Sequence, residues 1–353
     1  MALSVGIVGL PNVGKSTLFQ ALTKKKVDIA NYPFSTVEPN VGIVKVPDER
    51  LEKIAEIFSS QQSFPTIIEF VDIAGLVKDA HKGEGLGNQF LSHIRETDGI
   101  VHLLRSFEHS EVAHVEAEID PVRDIDTVQT ELLLKDQETV QKRVYALEKD
   151  VRAGKKEAVV QNEFLPLLLR ELNTGNTVLY FFKKNPKAKE ALQDLQLLTA
   201  KPVMYLVNSN TDKIPSALSA RLKGLKTPFV VMNAREELEI AGLSSEEANE
   251  LGVKPKLPEV IEKCYELLDL ITFFTGNQNE TRAWTLEKGA SVSEAAGHVH
   301  SDFQENFIRA LIIPWDKLAE AGSLQEATAK GQIRTEGKDY VVKDGDVIEI
   351  KHA

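Results

Sequence analysis

Residues 9–16, Gly9-Leu10-Pro11-Asn12-Val13-Gly14-Lys15-Ser16, place two glycines, a lysine and a hydroxyl at the spacing of a phosphate-binding loop. The residue types supply the chemistry. Gly9 and Gly14 let the backbone wrap so that N–H groups from Asn12, Val13, Gly14, Lys15, Ser16 and Thr17 can turn toward nucleotide phosphates, aided by the positive end of a following helix. Lys15 neutralises the β and γ oxygens, which makes it a binding and a catalytic candidate. Ser16 offers its hydroxyl to Mg2+, a cation that keeps several waters and takes few protein ligands.

A nucleotide-driven switch also needs a second magnesium ligand on a loop and an acidic turn facing the γ-phosphate. Thr36, in Asn31-Tyr32-Pro33-Phe34-Ser35-Thr36, and Asp72-Ile73-Ala74-Gly75 follow in that order. Asp72 is expected to hold magnesium through a water, and the N–H of Gly75 to sense the γ-phosphate. Leu76 stands where Ras-like enzymes carry the glutamine that orients the attacking water. Leucine cannot orient water, so hydrolysis must recruit another group or stay slow until a partner supplies one. At the base end, guanine-specific sites use Asn-Lys-x-Asp, whose carboxylate accepts two guanine N–H groups. Here the residues are Asn208-Ser209-Asn210-Thr211, without the lysine or the carboxylate. Asp212 lies one residue late, which leaves a distorted guanine site as the alternative.

These residues need a sheet to position them. Strand-like runs at Ser4–Val8, Val41–Val46, Thr66–Val71, Gly99–Leu104, Val203–Val207 and Pro228–Met232 alternate with helical patterns, which predicts an α/β fold around a mostly parallel sheet. The gap after Leu104 reads as helix from about Asp126. Leu133, Val140, Val144, Leu147 and Val151 form a narrow coiled-coil seam, Val159–Leu172 folds back antiparallel, and Pro186–Leu195 offers a third helix. A helical insertion packed on the core is one reading; a projecting arm fits the charged remainder of the first helix better. After Leu270 short strands are expected at Thr281–Leu286, Asp339–Val342 and Asp346–Ile350, with Lys343-Asp344-Gly345-Asp346 as a tight turn between the last two.

At 353 residues the chain exceeds one ordinary core, so two or three units are expected. No apolar run reaches the roughly 18 to 20 residues of a membrane span, and the opening residues, which run straight into strand and loop, are not expected to act as a signal peptide. Cys264 is the single cysteine, which excludes an internal disulfide or thiolate cluster, fits a reducing cytoplasm and reads as core packing. The net charge of −11 argues against a nucleic-acid footprint spread over the surface. Residues 135–189, however, carry 12 basic against 7 acidic side chains. Lys142, Arg143, Lys149, Arg152, Lys155 and Lys156 gather near the expected hairpin turn, where they could meet RNA phosphates. Neither a membrane nor DNA is an expected partner.

Several motifs together resemble the YchF, or Obg-like ATPase, family of Obg-related translation factors. They are GLPNVGKSTLFQALT, NYPFSTVEPN, VDIAGLVKDAHKGEGLGNQFL, RAWTLEKGASVSEAAGHVHSDF and EGKDYVVKDGDV, and the resemblance spans essentially the whole chain. It implies a Ras-like P-loop domain at 1–125 and 199–270, a coiled-coil insertion at 126–198 and a ubiquitin-like α+β TGS domain at 271–353. It also implies Mg2+-dependent hydrolysis of ATP in preference to GTP, and association with the ribosome, the large subunit being the expected side, with the arm on ribosomal RNA. The family's water-orienting histidine aligns with His114, and His109 is a nearby rival. In the base pocket the resemblance places Asn208 on the adenine edge, backbone contacts near Ser209, and the Asn233-Ala234 turn beneath the base. Family members carry Asn-x-x-Glu there, and Thr211 departs from that.

Overall fold

The computed structural model of the protein describes residues 3–24, 40–73, 86–107, 119–243 and 245–353. Seven strands lie in the first two thirds of the chain: β1 (Leu3–Val8), β2 (Val41–Lys45), β3 (Gln62–Phe64), β4 (Ile67–Asp72), β5 (Gly99–Arg105), β6 (Val203–Asn208) and β7 (Phe229–Met232). Six of them form a sheet in the order β2-β4-β1-β5-β6-β7, parallel throughout except for the β2–β4 pair. Burial on both faces explains their near-continuous apolar sequences. Every residue of β5 is buried, and Val5, Ile7 and Val8 of β1 sit in the same core. Helices α1 (Lys15–Thr23) and α2 (Glu49–Phe58) precede α3 (Leu86–Glu96). Helix Leu257–Leu267 buries Cys264 against this sheet, with Sγ 3.9 Å from Met204 Sδ. Burial pushes the thiol up to about 12, so the cysteine is an inert packing residue.

Register brings five strand ends to one edge: Ile7 pairs with Asp72, Val8 with His102, Arg105 with Asn208, and Asn208 with Met232. In open parallel sheets ligands bind beyond this carboxyl edge.

The long gap is filled by α4 (Pro121–Arg152), α5 (Lys156–Asn173), α6 (Val178–Lys184) and α7 (Pro186–Leu192). Helix α4 starts five residues before the expected Asp126, because Asp120 caps it by accepting from Val122 N and Arg123 N, with Pro121 at its first position. Helices α4 and α5 run antiparallel: Gln137 Nε2 donates to Leu172 O, and Arg143 Nε to Gln161 Oε1. Leu133, Val140 and Leu147 are buried along this seam, while Val144 and Val151 are half-buried against it. Helix α6 was not legible in the sequence. Its Phe181 and Phe182, with Ala188 and Leu192 of α7, cover the α4–α5 pair as far as Arg143, which meets Asp194 at 2.7 Å. At the base, Asp136 is fully buried and accepts from Leu198 N, Thr199 N and Thr199 Oγ1, tying α4 to the segment entering β6.

The remaining strands, β8 (Leu270–Gly276), β9 (Glu280–Glu287), β10 (Phe307–Pro314), β11 (Arg334–Glu336) and β12 (Asp346–His352), build a second sheet in the order β11-β10-β12-β8-β9-β3. Asp339–Val342 is not a strand. Within it only Val341 makes a bridge, to Ser291, and the turn at 343–345 leads from this irregular segment into β12. The sixth strand comes from elsewhere. Helix α2 and β3 leave the first sheet between β2 and β4, and β3 adds in parallel to β9 with Phe64 opposite Arg282. Leu51 and Ile54 of α2 share a core with Phe274, Ile313, Leu318 and Val347. Arg50 bridges to Asp344, which itself accepts from Thr272 N. Among the described residues no helix is long and apolar enough to cross a membrane.

Candidate functional site

The loop between β1 and α1 is shaped by two close approaches. Gly14 has φ +101°, and a Cβ there would lie 2.5 Å from Asn208 Nδ2. A Cβ at Gly9 would lie 2.6 Å from Leu103 O. A side chain at Gly9 would meet backbone, and one at Gly14 would be strained at its positive φ and crowd the Asn208 amide. Asn12 also takes a left-handed conformation, φ +64°, while Val13 is buried and anchors the loop. No side chain caps the start of α1 at Gly14. The first N–H groups of the helix, those of Lys15, Ser16 and Thr17, therefore remain available to an anion.

Lys15 Nζ donates to Gly9 O and Leu10 O, both at 3.0 Å, so its ammonium lies over the mouth of the loop. Burial lowers its pKa, and the negative field of Asp72 opposes that. The Asp72 carboxyl is raised by burial and lowered by Lys15. Burial disfavours charge on both, so a polyanion beside Lys15 and a cation beside Asp72 would each restore the charged form. The exposed Ser16 hydroxyl and the Asp72 carboxylate are hard oxygen donors of the kind Mg2+ takes. Thr36, Gly75, Leu76, His109 and His114 lie outside the described residues.

At the base end Asn208 is 5% exposed and holds two loops together. Its Nδ2 donates to Val13 O at 2.9 Å, and its Oδ1 accepts from Ala234 N at 3.0 Å. One amide hydrogen thus serves the phosphate loop, and the second has no partner among the described residues. Ser209 is buried, its Oγ accepting from Thr211 N. Thr211 is exposed and turns its hydroxyl to Lys213 O. Asn233 caps helix α9 (Ala234–Ile240), which follows α8 (Ser216–Leu225): its Oδ1 accepts from Arg235 N and Glu236 N, and its Nδ2 donates to Glu236 Oε1. Asp212 lines a cavity of about 290 Å³ with Asn233, Glu236, Glu237 and Lys256.

Two polar residues of β5 escaped the sequence reading. Arg105 is 1% exposed, with Nη1 3.4 Å from Asn12 O, Nε donating to Phe107 O, and its guanidinium 4.7 Å over the Phe107 ring. It thus reaches the one non-glycine residue of the loop that takes a left-handed backbone among the described residues. A charge closing an apolar strand at the ligand-binding edge was the signal that could have found it. His102 is buried beside Tyr205, ring centroids 5.4 Å apart, and its Nε2 has no hydrogen-bond partner among the described residues. Burial first, then the positive field of Lys15, push it down to about 3, so it is neutral at physiological pH.

Comparison with known proteins shows the family and the fold. A family model described as a 50S ribosome-binding GTPase matches residues 4–146, and the YchF-GTPase_C model, described as a protein of unknown function, matches residues 270–353. The ribosome-binding ATPase YchF of Bacillus subtilis is 44% identical, with 99% of both chains aligned. Its namesake from Escherichia coli O157:H7 is also 44% identical, over 99% of this chain and 98% of that one. The Obg-like ATPase 1 of Oryza sativa subsp. japonica is 40% identical over 99% of this chain and 92% of its own. The solved structure of the Schizosaccharomyces pombe YchF GTPase superposes with a TM-score of 0.86 at 34% identity, covering 99% of this chain and 97% of that one. The names of these relatives divide between ATPase and GTPase.

Proposed function

The chain belongs to the YchF family of P-loop nucleotide hydrolases, and from that premise we propose that it is a ribosome-associated switch that binds ATP more tightly than GTP and hydrolyses it slowly to ADP and phosphate. The observation that carries the base preference is Thr211, exposed and bonded to Lys213 O where a guanine site needs a carboxylate. A carboxylate accepting two guanine N–H groups makes charge-assisted bonds worth roughly 1.5 to 3 kcal/mol each. Their loss costs GTP on the order of tenfold to several hundredfold in affinity. Adenine needs no such acceptor; the second amide hydrogen of Asn208 is free to meet its N7, over the Asn233-Ala234 turn and the backbone at Ser209.

Lys15 and the N–H groups from Asn12 to Thr17 hold the triphosphate, and the N–H of Gly75 senses its γ end. Ser16 and Thr36 would ligate Mg2+ directly, and Asp72 through a water. The bound ion would neutralise phosphate charge as the γ-phosphoryl leaves. His114 orients the attacking water in place of the glutamine that Leu76 displaces. The nucleotide unit comprises residues 1–125 and 199–270, the coiled-coil arm 126–198 and the TGS unit 271–353. Residues 48–64 of the first unit lend α2 and β3 to the last. The arm docks on ribosomal RNA, the large subunit being the expected side, and the protein works in the cytoplasm. A guanine-specific reading retains one supporting observation, the placement of Asp212 beside Asn233 at the cavity wall.

Paired ATP and GTP affinities, with single-turnover hydrolysis in the presence and absence of ribosomes, test the proposal. Tighter GTP binding overturns the ATP preference, and rates indifferent to ribosomes overturn the switch. His114→Ala is expected to slow hydrolysis while leaving ATP affinity nearly intact; an unchanged rate removes the histidine from catalysis.

A further inference from the structure

Positive charge is unevenly placed along the inserted helices. Residues 135–173 hold eight basic side chains against seven acidic, whereas residues 174–192 hold Lys183, Lys184, Lys187 and Lys189 against Glu190 alone. The ion pairs widen that contrast. Around the hairpin turn Lys142 pairs with Glu138, Arg143 with Asp194, Arg152 with Glu148 and Lys155 with Asp150. Only Lys149 and Lys156 of the six basic residues there lack an ion pair among the described residues, and all four lysines of α6 and α7 do.

Those four side chains are exposed on a fixed corner. Asn185 N donates to Phe181 O and Phe182 O, its side-chain amide donates to Phe181 O, and Pro186 starts the next helix. Phe181, Phe182, Ala188 and Leu192 bury the opposite face. Tyr180 is 40% exposed, with Lys184 Nζ 4.1 Å over its ring, so an aromatic face lies inside the charge cluster. Preplaced ammonium groups that hold no ion pair release counterions when they meet a phosphate chain, and an accessible aromatic ring adds a stacking surface.

We infer that the α6–α7 corner, rather than the hairpin turn, is the surface of the arm that contacts ribosomal RNA, through phosphates at Lys183, Lys184, Lys187 and Lys189. This inference rests on the ribosome reading above. The test compares two variants of the full chain, a quadruple Lys→Ala at those positions and a double Lys149→Ala, Lys156→Ala. Each is titrated against purified ribosomes and against extracted ribosomal RNA over a range of salt. The quadruple variant is expected to lose more than about tenfold in affinity for both and to lower the salt slope by about 3 to 4, one per phosphate contact. The double variant should change affinity less than about twofold, and intrinsic ATPase activity should be unaltered in both. A quadruple variant that keeps its affinity and slope overturns the inference while the ribosome reading stands. Loss of ribosome binding with unchanged RNA binding also overturns it, because the corner would then meet an acidic protein. If the unmodified chain binds ribosomal RNA through these lysines but no ribosome, the ribosome reading fails and the surface assignment holds.

Discussion

The two ends of the candidate nucleotide site lie on one sheet edge and are built by opposite means. At the phosphate end the backbone makes the site: glycines are required where a Cβ would collide with Leu103 O or Asn208 Nδ2, and one lysine supplies the charge. At the base end side chains make it, and they are engaged with one another: Asn208 with Val13 and Ala234, Asn233 with its own helix, Thr211 with Lys213 O. Backbone geometry tolerates few sequences, whereas a side-chain network can change partners and keep its fold. The loop end is therefore legible from residue spacing, and the other end only from contacts made in the fold.

The largest expected effect breaks the phosphate end alone. Lys15→Ala removes its cation, and calorimetry with Mg2+ should show ATP affinity falling about a hundredfold or more, the value of two charge-assisted contacts. Unchanged affinity would remove this loop as the phosphate site. Next, Thr211→Asp acts on the base end alone. By restoring a carboxylate it should close the gap between ATP and GTP by about tenfold or more in competition against a fluorescent nucleotide. If the ratio stays put, the preference is set elsewhere.

Asn208→Ala strikes the link between the two ends. It leaves Val13 O and Ala234 N without their buried partner, and denaturant unfolding should report a loss of about 2 to 4 kcal/mol. A neutral substitution would show that the ends are held independently. The smallest effect concerns His102 behind the loop. Its pKa in the folded chain, about 3, lies below its ordinary 6.5, so between those values the unfolded chain binds more protons and stability falls as pH drops. From pH 7 to 5 that loss is about 2 kcal/mol, and His102→Phe should remove it from the pH profile. Identical profiles for variant and parent would mean that the imidazole is not held neutral.

The sequence disclosed what is local. Glycine and lysine spacing placed the loop, and the apolar runs placed all six strands of the first sheet to within a few residues. Partners distant in the chain were hidden. His102 lies inside the run Gly99–Leu104 and Arg105 directly after it, and neither stood out because the atoms they face belong to Asn12 and to strand β6. Tyr340 to Val342 has a strand-like composition, yet its bonds go to the start of helix Val292–Val299 and to Ala290, and no ladder forms. Gln62–Phe64 is too short for any periodicity, and α6 is a single seven-residue segment whose apolar face is defined only by the helices beneath it.

The β3–β9 pair also sets an order of events during synthesis. Gln62 leaves the ribosome roughly 220 residues before its partner Glu280, and the apolar side of α2, with Leu51 and Ile54, waits with it for Phe274 and Val347. Closing a loop of that length is slow compared with forming the local helices. For most of its synthesis the nascent chain therefore displays an unpaired strand and a bare helix face, features that invite pairing with other chains. A chain stopped before residue 270 would keep them permanently. The first sheet is complete in its own hydrogen bonds by Met232, but the polypeptide that carries it becomes self-sufficient only when the last strand arrives.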